Sequence, residues 1–569
     1  MRQASVIRPG RRRAVLRTLA LLALAAAGSG CASGQVLPWQ YSPRPMADTL
    51  SIREPVEREP SVVYEQIAYA MLLPLSIGGG PAWNADPLDE VVNSTWFTNR
   101  NAVRPFTPAE LARGPQTVDG PDQSGPVEVW NMKTEGVNTG FFITDASGVR
   151  WLVKFDPQEN TEMASGADVL ATNLVWAAGY HTPENHVYML DPARLVFARG
   201  LDTEAVVDGR VVELEVGAED PDRELTPDLF YRIYLDKYPR HPGGTIRTLA
   251  SRLVPGIVKG AFAWEGTRPD DSNDVVPHEK RRELRGYYVV ASWINQVDTK
   301  QGNTLDAFVL HSDSPTERGA RRFGHLVHYM LDNGASLGSG GVHPHRPRHG
   351  NENDLDMQAV SMRLITLGAY ERPWQDIEDP GHPETIGWFA ADGFRPDRWK
   401  PSIPNPTFDA VDDRDGYWGA KLVMSFTDEQ LAGAMEATQW SDPAARSYIL
   451  TGLQERRDAI GRHWFARVSP LDDPRVEGGA VAFDDLWTEH FGGAAQYRYD
   501  FDGPAPAGEG VANEPRVPVP AGLAPGDGGR VRLRVWRSKP EGTGWAPRPA
   551  TIWLESDGAS GWRIAGVRY

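Results

Sequence analysis

The sequence predicts an α+β protein of two lobes, with an N-terminal signal and tether and a small C-terminal β unit. Strand and hairpin signals fall between about residues 126 and 200, and helical periodicity recurs between about 201 and 500. Alternating strands close the chain beyond a linker. A 40% hydrophobic content with 19 tryptophans in 569 residues is typical of a folded globular protein with an ample core.

The first 30 residues form the predicted signal peptide. They contain arginines and no acidic residue, followed by the apolar run V-L-R-T-L-A-L-L-A-L-A-A-A, which is too short for a retained membrane span. The single cysteine, Cys31, follows in G-S-G-C-A-S, which resembles the lipobox of bacterial lipoproteins, with Gly28 in place of the preferred leucine. The resemblance implies that Cys31 carries fatty acids such as palmitate, and Ala32 implies sorting to the outer membrane.

Residues 31–125 are predicted to form a tether and a leading segment. The part up to about residue 60 is rich in proline and polar residues, and a helical stretch follows near Tyr64 to Leu73. Because Cys31 is the only cysteine, the mature chain has no internal disulfide. An exported chain without disulfides must rely on its hydrophobic core for stability.

The predicted small lobe, residues 126–200, begins with a hairpin and ends with a helix. The hairpin runs from E-G-V-N-T-G through F-F-I-T and the turn D-A-S-G to W-L-V-K-F-D, where Lys154 closes an apolar strand. Glu162 opens the helix, which Gly179 ends. The apolar face of this helix consists of Met163, Ala167, Leu170, Ala171, Leu174 and Ala178.

The predicted large lobe, residues 201–500, contains a helix that leads to the polar loop V-D-T-K-Q-G-N. Short strands at Phe308–Leu310 and His325–Leu331 follow, and then the turn D-N-G. Thr427 and Gln430 predict a capping box for a later helix. The apolar face of the first helix consists of Leu284, Tyr287, Tyr288, Ala291 and Ile294.

The C-terminal part is predicted to be a linker and a small β domain. Residues 501–526 are rich in proline and glycine, which predicts the linker. Residues 527–569 contain three alternating segments, V-R-L-R-V-W-R, A-T-I-W-L-E and W-R-I-A-G-V. We expect this unit to pack or bind rather than to catalyse.

Four polar residues along these elements are candidates for a functional site, and their order in the chain is informative. They are Lys154 in a strand, Asp298 with Asn303 five residues later, and Asp332 two residues before a glycine. Together they resemble the protein-kinase-like superfamily, nearer to its divergent, atypical members. The resemblance implies that Lys154 holds nucleotide phosphates, that Asp298 takes the proton of an acceptor hydroxyl, and that Asn303 and Asp332 bind Mg²⁺.

The same resemblance implies two supporting roles. A glutamate of the helix after the lysine strand would pair with Lys154, and Glu162 and Glu159 both stand in position for this. Gly136 and Gly140 would belong to the loop that covers the phosphates. That loop is poorer in glycine than the kinase motif.

Two departures from the kinase pattern concern regulation. Residues 295–297 read N-Q-V, where a protein kinase has His and Arg nearby. Asn333 stands where phenylalanine occupies the D-F-G motif. We therefore do not expect control by activation-loop phosphorylation.

The charge of the chain limits its partners. The formal net charge is −17, and it becomes −23 once the six arginines of the signal are removed. A surface with this charge repels nucleic acid and anionic lipid. We therefore expect no nucleic-acid partner, and a membrane contact through the lipid on Cys31.

Two functions follow as expectations. One is an exported, lipid-anchored enzyme that transfers phosphoryl from ATP with Mg²⁺ to a hydroxyl acceptor, which is a small molecule or an envelope protein. The other is an inactive pseudokinase that acts as an envelope scaffold or binding lipoprotein. The second arises because the periplasm is thought to hold little ATP.

Overall fold

A computed structural model describes residues 48–72, 79–134, 138–208, 210–315, 320–372, 374–377, 381–383, 385–502, 508–523, 530–542, 544–556 and 561–569. The signal, Cys31 and most of the tether lie outside these ranges, as does Gly136. None of the helices within them has both the length and the apolar character needed to cross a membrane.

The described chain is a mixed α/β structure with several sheets and eleven α-helices. The helices are α1 Val62–Leu72, α2 Pro108–Arg113, α3 Met163–Ala178, α4 Pro227–Phe230, α5 Arg282–Ile294, α6 Met357–Ile365, α7 Pro406–Asp409, α8 Asp413–Met424, α9 Asp428–Ala434, α10 Pro443–Phe465 and α11 Leu486–Phe491. The strands are β1 Ile52–Arg53, β2 Val127–Met132, β3 Gly140–Thr144, β4 Arg150–Phe155, β5 Asn185–Leu190, β6 Leu195–Phe197, β7 Asp202–Val207, β8 Arg210–Glu215, β9 Ile246–Arg252, β10 Ile257–Val258, β11 Thr304–Leu310, β12 Phe323–Met330, β13 Leu471–Glu477, β14 Ala480–Asp485, β15 Tyr497–Asp502, β16 Glu509–Ala512, β17 Arg516–Pro518, β18 Arg530–Arg537, β19 Ala550–Ser556 and β20 Trp562–Arg568.

A six-stranded sheet in the order β5-β9-β4-β3-β2-β6 carries the lysine strand. Side chains from the sheet, among them Phe141 and Trp151, pack with Phe230 of α4 in one hydrophobic cluster. The predicted end of the small lobe at residue 200 is wrong for this sheet, because β9 inserts between β5 and β4 from residues 246–252. The hairpin β7–β8 intervenes along the chain, and such a long-range strand insertion leaves no local signal.

Helix α5 lies at the centre of the largest hydrophobic core. All its residues are buried, and its apolar face packs with residues of α8 and α10. Its arginines are buried beside acids. Arg282 Nε and Arg285 Nη1 lie 2.8 and 2.9 Å from the two carboxylate oxygens of Asp415 in α8.

A four-stranded sheet in the order β1-β12-β11-β10 follows the polar loop. Strands β11 and β12 form an antiparallel pair in which Thr304 faces Met330. The pair is longer than the predicted short strands, and it brings the polar loop and the D-N-G turn to the same end of the sheet. The predicted capping box at Thr427 and Gln430 is confirmed at the start of α9.

The C-terminal sheets differ from the prediction. The predicted linker at residues 501–526 contains β16 and β17, and the five-stranded sheet β16-β15-β18-β19-β20 starts at Tyr497. Its buried residues, among them Leu533 and Ile552, belong to the same hydrophobic cluster as α5 and α10. The described residues of this stretch, 501–502 and 508–523, therefore include short strands where a free linker was predicted.

Candidate active site

Lys154 is held by two aspartates. Its strand, β4, pairs with β3 at Gly140 and with β9 at Leu249. The Lys154 side chain is 11% exposed, and its Nζ lies 3.0 Å from Asp332 Oδ1 and 3.5 Å from Asp168 Oδ2. Burial by itself lowers the pKa of Lys154, but the two carboxylates outweigh burial and raise it. The lysine is therefore a fixed cation.

Asp168 of α3, rather than Glu162, is the carboxylate that pairs with Lys154 from the helix. It is buried, and burial raises the pKa of this carboxyl while the Lys154 charge opposes the shift. Thr172 Oγ1 and Asn185 Nδ2 donate to its Oδ1 at 3.1 and 2.7 Å. Asp168 was not singled out from the sequence, although it is the only acidic residue of α3, a helix made mainly of small and apolar residues.

The predicted contact of Glu162 with Lys154 is wrong. Glu162 precedes the first turn of α3 with a φ of 75°, and its carboxylate accepts from Ser441 N at 2.7 Å and Ser441 Oγ at 3.0 Å. Trp440 Nε1 donates to its carbonyl at 2.7 Å. Glu162 therefore anchors the start of α3 to the segment before α10, and the alternative, Glu159, is exposed.

The polar loop brings Asp298, Lys300 and Asn303 together. Lys300 Nζ lies 2.6 Å from Asp298 Oδ2, and Asn303 Nδ2 donates to the Asp298 carbonyl at 2.6 Å. The Asn303 carbonyl accepts from Leu331 N at 2.8 Å, which ties the loop to the residue before Asp332. Lys300 was not singled out from sequence, although its position two residues after Asp298 was visible.

Asp332 sits in a left-handed conformation with a φ of 49°. Such backbone is uncommon outside glycine and costs free energy, and it clusters at functional sites. The Asp332 side chain is 51% exposed, and the Lys154 charge lowers the pKa of its carboxyl. Gln296 Nε2 donates to its carbonyl at 2.9 Å, so the turn is fixed while the carboxylate stays accessible.

Asn333 and Gly334 connect the D-N-G turn to α3. Asn333 is fully buried, and its Nδ2 donates to Thr172 Oγ1 at 3.0 Å. A Cβ at Gly334 would lie 3.2 Å from Asp168 Oδ2, closer than most side-chain contacts. In place of a packed aromatic ring, a hydrogen-bond chain through Thr172 links this turn to Asp168.

One cleft of about 140 Å³ is lined by six of the residues described above, namely Lys154, Asp168, Asp298, Lys300, Asp332 and Gly334. Lysines 133, 154 and 300 and aspartates 156, 168, 298 and 332 contribute to its walls. Two separate cavities of about 220 and 300 Å³ share Asp156 with the cleft as a lining residue. Asp156 itself caps α3, because Ser165 N and Glu162 N donate to it at 2.7 and 3.2 Å.

Of the two glycines predicted to cover the phosphates, the structure describes one. Gly140 faces Lys154 across the strand pair, and a Cβ there would lie 2.4 Å from the Val153 carbonyl oxygen, so the position requires glycine. Gly136 lies outside the described residues. Lys133, whose Nζ donates to the Asn138 carbonyl at 3.0 Å, was not expected at this end of the cleft.

The oxygen donors are those that Mg²⁺ prefers. The amide nitrogen of Asn303 donates to the Asp298 carbonyl, so its amide oxygen is not used in that hydrogen bond. In Asp332, Lys154 contacts Oδ1, and Oδ2 is the second carboxylate oxygen. No cluster of three His, Cys, Asp or Glu side chains suited to a metal occurs in the described ranges. Mg²⁺ commonly uses one or two protein oxygens with waters and phosphates, so the set fits a nucleotide-bound ion.

The segment G-A-S-L-G at residues 334–338 has the spacing of a serine-hydrolase nucleophile elbow. Ser336 is fully buried, and its hydroxyl donates to the Asn333 carbonyl at 2.6 Å. A nucleophile of that class must be exposed at its turn. The segment is therefore a structural part of the D-N-G turn.

No protein-family model matches the chain, and no curated protein is significantly similar to it. Among solved structures, the chain is similar to the Helicobacter pylori proinflammatory kinase CtkA at 11% identity. The match covers 59% of this chain and 95% of that chain, with a TM-score of 0.28. At this TM-score the likeness supports no conclusion about the fold or the function of the present chain.

Proposed function

We propose that the protein is a two-lobed, kinase-like phosphotransferase that uses ATP and Mg²⁺ to phosphorylate a hydroxyl acceptor. The observation that carries the proposal is the buried Lys154 between Asp168 and Asp332, in one cleft with Asp298. The lining residues of this cleft come from the six-stranded sheet and α3, and from the loop after α5 and the D-N-G turn. A fixed cation beside an accessible carboxylate is what nucleotide phosphates with Mg²⁺ require.

The residues divide the work of transfer. Lys154, oriented by Asp168, binds phosphate oxygens, and Asn303 and Asp332 hold Mg²⁺. Bound there, Mg²⁺ neutralises phosphate charge and orients the nucleotide. Asp298 accepts the proton of the acceptor hydroxyl, and Lys300 beside it provides a second positive charge for the transferred group.

Nucleotide binding requires the cleft to change. A volume of about 140 Å³ is below the range of about 300–1,000 Å³ usual for ligand pockets. Lys154 and Asp332 also contact each other directly at 3.0 Å. To bind a nucleotide, these two side chains would have to separate. Lys154 would then contact phosphate oxygens instead of Asp332, and Asp332 would contact Mg²⁺ instead of Lys154.

The narrow cleft also favours the second candidate, a pseudokinase scaffold. A lysine satisfied by two aspartates has no need of a ligand, and removing one member of such a set would leave the charge of the others uncompensated. In that case the site residues would hold the sheet to the rest of the protein. The protein would then act through its surface in the cell envelope.

We expect Mg²⁺ with ATP to raise the melting temperature of the protein. A ligand that binds only the folded state stabilises it by about 2.7 kcal/mol at a hundredfold excess over Kd. Differential scanning fluorimetry with ATP and Mg²⁺, ATP with EDTA, and Mg²⁺ alone measures the effect. Unchanged melting with every nucleotide at millimolar concentration would reject the enzyme and leave the scaffold.

We further propose that the protein is a lipoprotein of the bacterial outer membrane, anchored through Cys31. Replacing Cys31 with serine should leave the precursor uncleaved or release the protein from the membrane, because acylation precedes cleavage at a lipobox. Phase separation in detergent, with membrane fractionation, measures this. Identical processing and partitioning of C31S and the unaltered protein would contradict the anchor.

A further inference from the structure

Helix α1 packs against the rest of the protein through a few buried side chains. Glu65 and Tyr69 are 3% and 8% exposed, whereas the apolar side chains of Tyr64 and Ile67 are 73% and 50% exposed. This reverses the usual pattern, in which a surface helix buries apolar residues and exposes acids. The buried acid therefore has a specific partner.

That partner is the loop of the candidate active site. Gln301 N donates to both carboxylate oxygens of Glu65, at 2.9 and 3.2 Å, and Gln301 Nε2 donates to Tyr69 Oη at 3.1 Å. Gln301 opens the short 3₁₀ turn Gln301–Asn303, whose first N–H has no partner within the turn. Hydrogen bonds to a carboxylate are stronger than neutral ones, so Glu65 caps this turn firmly.

Keeping a carboxylate here is costly. Burial raises the pKa of Glu65 to about 7, and the Asp298 charge adds to the shift, while the Gln301 hydrogen bond and the Lys300 charge oppose it. A glutamate in such surroundings costs stability unless its contacts offset desolvation. The hydrogen bonds to Gln301 are the contacts that do so.

The position of the turn Gln301–Asn303 determines the positions of Asn303 and Asp298. Gln301 begins the turn, and Asn303 ends it with hydrogen bonds to the Asp298 carbonyl and from Leu331 N. Displacing Gln301 would therefore displace the amide oxygen of Asn303 and the backbone of Asp298. A misplacement of about 1 Å at a reacting centre can cost about a hundredfold in rate.

We propose that Glu65 is a positioning residue, through which the N-terminal helix holds the turn Gln301–Asn303 in the geometry that phosphoryl transfer needs. The proposal rests on the proposed function for its catalytic part. Its structural part, the fixing of the loop by a helix from the leading segment, stands on the hydrogen bonds alone. Helix α1 thereby links the leading segment of the chain to the candidate active site.

The test uses the whole chain at pH 8, above the pKa of about 7 to which burial raises Glu65. Glu65→Ala should lower kcat about a hundredfold and raise the Mg²⁺ concentration for half-maximal activity, with nucleotide affinity in EDTA unchanged. Hydrogen–deuterium exchange should accelerate over residues 298–303. Glu65→Gln, which keeps an acceptor oxygen, should recover most of the rate, and Ile67→Ala on the exposed face of α1 should match the unaltered protein.

Each outcome decides the matter. Unchanged exchange over residues 298–303 in Glu65→Ala would overturn the proposal, as would faster exchange with unchanged kcat and Mg²⁺ requirement. A loss that Glu65→Gln does not recover at all, or that Ile67→Ala shares, would assign Glu65 to general stability and overturn it too. If the unaltered protein transfers no phosphoryl group, the proposed function fails, and the exchange measurement alone decides whether Glu65 fixes the loop.

Discussion

Replacing Asp332 with asparagine should abolish the Mg²⁺-dependent part of nucleotide binding, lowering affinity in Mg²⁺ on the order of a hundredfold, about 2.8 kcal/mol. Asparagine tolerates the left-handed backbone at this position, so the turn should survive. Lys154 keeps Asp168 at 3.5 Å and loses the competing charge of Asp332. Affinity for ATP in EDTA should therefore stay constant or rise.

Asp298→Asn should behave in the opposite way. Nucleotide binding should survive, because the proposed mechanism assigns Asp298 to the acceptor, while transfer should fall by about 10²–10⁴-fold with loss of the general base. Glu162→Gln is the matched control, since it neutralises an acid at the start of α3 that bonds Ser441 instead of Lys154. Isothermal titration calorimetry and a transfer assay separate the variants. Equal nucleotide affinity in all of them, in Mg²⁺ and in EDTA, together with undiminished transfer by Asp298→Asn, would show that the carboxylates serve the fold alone.

Asp415→Ala should destabilise the protein by about 3–5 kcal/mol, because it leaves the buried Arg285 without its carboxylate partner. Asp415 is fully buried, and its two oxygens lie 2.8 Å from Arg282 Nε and 2.9 Å from Arg285 Nη1. Arg282 retains Asp89, whereas the other hydrogen bonds of Arg285 run to the carbonyls of residues 80 and 279. The change therefore acts on the helix that carries the polar loop of the active site.

The matched control for Asp415 lies two residues earlier in the same helix. Asp413 pairs with Arg548 at 3.0 Å, where the arginine side chain is 51% exposed. An exposed ion pair contributes about 0–1 kcal/mol, so Asp413→Ala should barely shift the urea midpoint. Similar shifts for both variants would mean that solvent reaches the arginines of α5 and that the buried cluster is weaker than its geometry implies.

Local features of the sequence were sufficient to predict the strand and the helix that carry the candidate site. The turn at residues 145–148 and the apolar run after it predicted the strand that carries Lys154, because a hairpin is specified by neighbouring residues. The periodicity before Asp298 predicted α5, and the two short strands predicted after the polar loop correspond to β11 and β12, whose pairing brings that loop and the D-N-G turn to the same end of the sheet. These contacts arise between segments close together in the chain.

Contacts between distant segments needed the tertiary structure. Which acid of α3 meets Lys154 depends on how the helix is rotated against the sheet, and Trp440 and Ser441 fix that rotation by binding Glu162. The insertion of β9 into the sheet and the contact of Glu65 with Gln301 likewise join residues far apart along the chain. Packing of whole elements, which no local pattern encodes, selects among such partners, and it alone assigned Asp168 to Lys154.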